Sequence, residues 1–269
     1  MPCRLPRSCS SWTRWRPSSP DVRNIKLLIT YDGTDFSGWQ RQPDRRTVQQ
    51  VLEEAIGRLT GVEAPTNASG RTDAGVHALG QVVHFYTTSE HPPAIFIKAL
   101  NAMLPHDVRV KEAWDVPQAF HATLDAKSKR YRYVIDNSPI ADPFLLRTSW
   151  HVYLPLNVDA MHRAAQFLQG RHDFHSFETN WPNRTSSVRT IFDIGVTRHG
   201  SAVHVEVEAD GFLYNMVRSI AGTLVQVGIG RWPEAKVLEA LLAEDRREAG
   251  PTAPPQGLFL LRVRYAGDP

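Results

Sequence analysis

The chain has 269 residues, 42% hydrophobic and 22% charged, the balance of an ordinary globular protein with room for one large domain or two smaller ones. No apolar run approaches the ~20 residues of a membrane helix, and two cysteines, Cys3 and Cys9, cannot build a disulfide framework or a zinc knuckle, which fits a reducing, cytoplasmic setting. The formal charge of +3 is misleading: five arginines against one aspartate in residues 1–23 account for +4, leaving −1 elsewhere, so a nucleic-acid partner would need a local basic face.

In chain order, residues 1–23 are rich in Ser, Pro and Arg, lack periodicity and read as a disordered tail. Residues 25–31 alternate Ile25, Leu27, Ile29 and Tyr31, a strand. After a Gly- and Asp-rich loop, Thr47 with Gln50 forms a capping box, Val48, Val51, Leu52, Ala55, Ile56 and Leu59 make a helical stripe, and Gly61 closes the helix. A turn around Asp73–Gly75 leads into a strand over 80–87, a helix over 94–103 and a strand over 107–116.

The order then begins again: a strand over 129–137, a helix from N-cap Asn157 to C-cap Gly170, a hairpin turning near His199 and Gly200, an apolar helix over 212–228 carrying Arg218, a helix opened by Pro233 and a strand over 257–265. The expected fold is α+β: two similar halves, 24–117 and 118–266, share a largely antiparallel mixed sheet with helices on one face and a cleft between the halves.

The stretch SGRTDAGVHALGQVVHF over 69–85 isolates one acid, Asp73, among Arg71, two glycines and a histidine. A turn aspartate is the plain explanation. An aspartic protease needs a second copy of its motif and a glycosidase a second carboxylate, and neither is nominated. His172 and His175 are the only metal-like pair. What remains is a single acid acting as nucleophile or electrostatic stabiliser, held ionised by a cation. Arg71 is near in sequence, and Arg218, in an apolar helix, needs a carboxylate.

This stretch resembles the signature of the TruA family of tRNA pseudouridine synthases. So do YDGTDFSGWQRQ, TVQQVLEEAI, FHATLDAKSKRYRYVI, DFHSF, SVRTI, DGFLYNMVRSIAG and GLFLLRVRY, in order, over about residues 25–265. The resemblance implies an isomerase that converts uridine to pseudouridine at positions 38, 39 and 40 of the tRNA anticodon arm, flips the base, uses no cofactor or metal and works as a cytoplasmic homodimer. It implies Asp73 as the catalytic acid attacking C6 or C1′, Arg71 as the arginine that helps extrude the base, Tyr131 as the tyrosine against the uracil and Arg218 as the cation paired with Asp73. Lys129, Arg130 and Arg184 are the expected RNA contacts, and Thr123 stands where the family has arginine. The competing class is a non-catalytic tRNA-binding module on the same scaffold, which would lack Asp73, Tyr131 or Arg218; all three are present.

Overall fold

The computed structural model describes residues 22–179 and 186–268. Most of the tail and Arg184 lie outside these residues.

Local signals set the first half. Strand β1 (Arg23–Tyr31) starts inside the span expected as tail; Arg23 ion-pairs with Asp115 and donates to the carbonyls of Ser89 and His91. Helix α1 (Val48–Thr60) begins where Thr47 accepts from the Gln50 amide and ends on left-handed Gly61. The capping box is only half formed, because the Gln50 side chain donates to Glu54 instead. Then come β2 (Asn67–Ala68), β3 (His77–Thr87), α2 (Pro93–Met103) and β4 (Val108–Val116).

The second half contains β5 (Ser128–Asp136), β6 (Trp150–His151), α3 (Val158–Gln166), β7 (Gly170–Asp173), β8 (Val188–His199), β9 (Ala202–Ala209), α4 (Met216–Gly228), α5 (Ala235–Ala243) and β10 (Leu258–Arg264). Two expected helix limits move. Helix α3 stops at Gln166 with Phe167 as C-cap, and Gly170, at φ +107°, opens β7. Helix α4 starts at Met216, not 212, because Asn215 takes a left-handed φ of +60° that no helix residue can hold.

The strand order is β4-β1-β3-β10-β5-β9-β8-β7, with β2 on β3 and β6 on β5. All pairs are antiparallel except β10 with β3 and β5 with β6. The last strand of the chain therefore lies in the middle of the sheet and joins the two halves.

Alternation sorts the faces. Ile25, Leu27, Ile29 and Tyr31 of β1, Val83 and Phe85 of β3, Leu260 of β10, Tyr131 and Tyr133 of β5 and Val203, Val205 and Val207 of β9 share one buried face. Leu52 and Ile56 of α1, Phe96 and Leu100 of α2, Met161 of α3, Leu224 of α4 and Leu241 of α5 join the same core. The helices thus cover one face. The other carries ion pairs over β5 and β9, and Lys26 set against the rings of Trp114, Phe120 and Tyr265. No helix among the described residues is long and apolar enough to cross a membrane.

Candidate active site

Asp73 sits in the loop between β2 and β3, and two glycines hold that loop tight. Gly75 has φ +78°, as the turn reading expects. Gly38 has φ +89°, and a Cβ there would lie 2.7 Å from the Thr72 carbonyl, so its missing side chain lets the 36–39 segment pack on the loop. The Trp39 amide donates to that carbonyl at 3.0 Å.

A buried polar network anchors the loop from below. Tyr31 of β1 and Gln81 of β3 lie on the core face, directly under it. The Tyr31 hydroxyl shares a hydrogen bond with Thr72 Oγ1 at 2.8 Å. Ser69 Oγ donates to Gln81 Oε1 at 2.6 Å, and Gln81 Nε2 donates to the Gly70 carbonyl at 2.8 Å. Residues 69, 70 and 72 are thereby fixed to two strands. Sequence reasoning missed this network, although a glutamine in an apolar strand was its visible signal.

Asp73 opens on a cavity of about 390 Å3 at the junction of the halves, whose walls include Arg71, Lys129, Tyr131, Phe212, Val76 and Leu258. Tyr131 comes from β5, and its ring meets Phe212 edge-on at 5.0 Å. The residues 212–215, expected as helix, form an irregular wall of the cavity instead. Thr123 also lines it and donates to the Ala68 carbonyl at 2.6 Å, tying the 117–127 connection to β2.

Arg218, in the first turn of α4, brings Nη1 to 3.9 Å from Asp73 Oδ2. The guanidinium is held in place by the Ala253 carbonyl at 2.7 Å and Asn215 Oδ1 at 2.6 Å. The pair is looser and wetter than a fully buried bridge, with Asp73 30% exposed. Burial raises the Asp73 pKa above the usual carboxylate range, and Arg218 opposes that shift. The Tyr131 phenol is pushed far above its ordinary value, by burial first and then by Tyr31 and Asp73, so it is neutral at physiological pH.

The expected RNA contacts separate. Arg71 stands exposed at the cavity rim and Lys129 lines it. Arg130 does not reach it: alternation turns it to the opposite face, where Glu208, Glu206 and Asp193 bind its guanidinium. Arg130 therefore has no part in the cavity wall. Tyr133, on the Tyr131 side, is buried and donates to the Pro254 carbonyl at 2.7 Å, outside the cavity. The His172 ring bonds to the Gln169 carbonyl.

The last strand thus closes the sheet beside a cavity where Asp73, Arg71 and the ring of Tyr131 meet, with Arg218 reaching Asp73 from α4. The sequence profile described as "tRNA pseudouridine synthase" matches residues 27–125 and 164–266. Proteins named tRNA pseudouridine synthase A are similar over 244 residues, which is 91% of this chain and 100% of each relative. They are 44% identical in Thermoanaerobacter sp. (strain X514), 46% in Acetivibrio thermocellus and 47% in Brevibacillus brevis. A solved Cbf5-Nop10-Gar1 complex aligns over 88% of this chain and 56% of that chain at 12% identity and a TM-score of 0.30, too slight a likeness to bear on the fold. The chain belongs to the TruA family of tRNA pseudouridine synthases, which are isomerases.

Proposed function

We propose that this enzyme isomerises uridine to pseudouridine on the 3′ side of the tRNA anticodon arm, at positions 38, 39 and 40, with Asp73 as nucleophile on a flipped-out base. The observation that carries the reading is that Asp73 and Tyr131, from a loop and from β5, line one cavity with Phe212, Val76 and Leu258, while Arg218 of α4 reaches Asp73. A uracil leaving its stack needs a flat apolar wall, and the neutral Tyr131 ring supplies one. Asp73 needs to be ionised, and Arg218 favours that state. Its attack at C6 or at C1′ begins the sequence that breaks N1–C1′ and joins C5 to C1′. Nothing is oxidised or consumed, so no cofactor is required of the cavity. In this reading Arg71, which lines the cavity, occupies the gap that the extruded base leaves.

The same reading includes a cytoplasmic homodimer with tRNA lying across both subunits. Ile140, Phe144, Leu146 and Tyr153, 84%, 90%, 52% and 67% exposed, offer the apolar surface that a second copy would cover. Light scattering on the purified protein tests it, a monomeric mass counting against it.

The activity is tested by tritium release from tRNA labelled at uracil C5, using tRNAs with uridine at one anticodon-arm position at a time. Release confined to positions 38–40 is the expected result. Tight tRNA binding with no release from any substrate would favour the non-catalytic binding module.

A further inference from the structure

Lys129 enters the cavity in a way the isomerisation does not explain. It precedes Tyr131 by two residues on β5, so both side chains leave the same face of the sheet. Its ammonium lies against the backbone of the catalytic loop: a Cβ built on Gly70 would sit 3.2 Å from Lys129 Nζ. Among the described residues no hydrogen bond or ion pair engages that ammonium.

Asp73 and Arg71 from the loop, Tyr131 from β5 and Tyr214 from the 210–215 segment line the same cavity as Lys129, while Arg218 of α4 reaches Asp73 and Arg189 of β8 acts on Lys129 through its charge. The one carboxylate among them already has Arg218. Among the described residues no second carboxylate lines the cavity beside Lys129. A half-buried ammonium without a counter-ion is unfavourable in the free protein, and burial together with the nearby Arg189 lowers the Lys129 pKa to about 8. An anion arriving with the substrate relieves that cost.

We infer that Lys129 forms a phosphate subsite, its ammonium holding the backbone phosphate that flanks the nucleotide whose base enters the Asp73 cavity. The inference rests on the proposed function, which supplies the RNA. A lysine is suited to this role because it is a compact point charge with three rotatable donors, which tolerates any phosphate orientation. The phosphate in turn keeps Lys129 charged, so RNA binding draws in a proton wherever free Lys129 has begun to lose one.

The test is binding of an unmodified anticodon stem-loop RNA to the full chain, measured at pH 7, 8 and 9. The wild-type Kd is expected to rise about tenfold from pH 7 to pH 9, the fraction of charged amine lost by a group titrating near 8. Lys129→Arg keeps the pH 7 affinity and loses that rise; titration of the RNA bases is common to both proteins and cancels. Lys129→Met binds at pH 7 about as the wild type does at pH 9, with a salt slope smaller by about one. An RNA carrying a neutral methylphosphonate at the flanking phosphate removes the difference between wild type and Lys129→Met.

Wild type and Lys129→Arg sharing one pH profile would overturn the subsite, and so would a Lys129→Met enzyme that loses turnover but binds with wild-type Kd and salt slope. The first comparison stands even if Lys129→Met folds poorly. Because it reads binding, it is independent of the tritium assay: a wild type that releases no tritium refutes the proposed function instead.

Discussion

At the scale of the residue, the site turns on how one carboxylate is kept ready. Burial pulls Asp73 toward its neutral form and Arg218 pulls it back, at 3.9 Å and with solvent access. Asp73→Asn keeps the shape and removes both the charge and the proposed nucleophile; the protein is expected to fold, bind tRNA and form no pseudouridine, checked by tritium release beside a binding assay. Arg218→Met removes the opposing influence, so the Asp73 pKa rises further. The acid limb of kcat/KM against pH, which reports the free enzyme, then moves to higher pH. The variant also strips donors from the Ala253 carbonyl and Asn215, so its loss of stability is about 2–3 kcal/mol by urea titration, below the range for a fully buried pair. An unshifted acid limb would separate Arg218 from the ionisation of Asp73.

At the scale of the element, the sequence is legible where its signals are local and opaque where packing decides. Thr47, Gly61 and Gly75 announce a helix start, a helix end and a turn by their own chemistry, and each is found so. Asp73, Tyr131 and Arg218, and the pairing of Arg218 with Asp73, are legible in the family signature; the strand order that sets β3 and β5 on either side of β10 is not. Residues 212–215 look like the apolar start of a helix; only the left-handed Asn215, set by tertiary contacts, makes them a cavity wall. The alternation that brings Lys129 beside Tyr131 sends Arg130 to the far face, where Glu206, Glu208 and Asp193 hold it. The Tyr31–Gln81 network under the Asp73 loop joins two strands and a loop, a non-local arrangement. Tyr31→Phe or Gln81→Met frees one side of it. The expected result is a kcat lower by roughly 10–100-fold with KM for tRNA nearly unchanged, because the network positions Asp73 and does not touch RNA. Equal changes in kcat and KM would instead indicate a general loosening of the cavity.

At the scale of the whole molecule, stability and acidity are linked through a histidine far from the chemistry. His84 of β3 is fully buried, its Nδ1 accepts from the Ala122 amide, and burial together with His121 lowers its pKa to about 4. Below about pH 6.5 the unfolded chain takes up a proton that the folded ring refuses until about pH 4. The contribution is fully present above 6.5, falls as the pH drops through that window and levels off below it, an effect of order 3 kcal/mol. Urea midpoints of the wild type should therefore decline between pH 7 and 4.5 more steeply than those of His84→Gln, and parallel profiles would refute it.

The position of β10 gives the molecule a timetable. The two halves are joined across the sheet by β10, which follows every other strand in sequence and lies between β3 and β5. A growing chain can settle β1 to β4 with their helices early, since domains form from the N-terminus onward during synthesis. Asp73 is then already on a finished surface while Tyr131 and Arg218 wait on an unclosed one. The cavity closes only when residues 258–264 slide into the gap, so an unfinished or C-terminally clipped chain carries every reactive side chain and no assembled centre. Insertion of β10 is in this sense the first switch that the enzyme passes through.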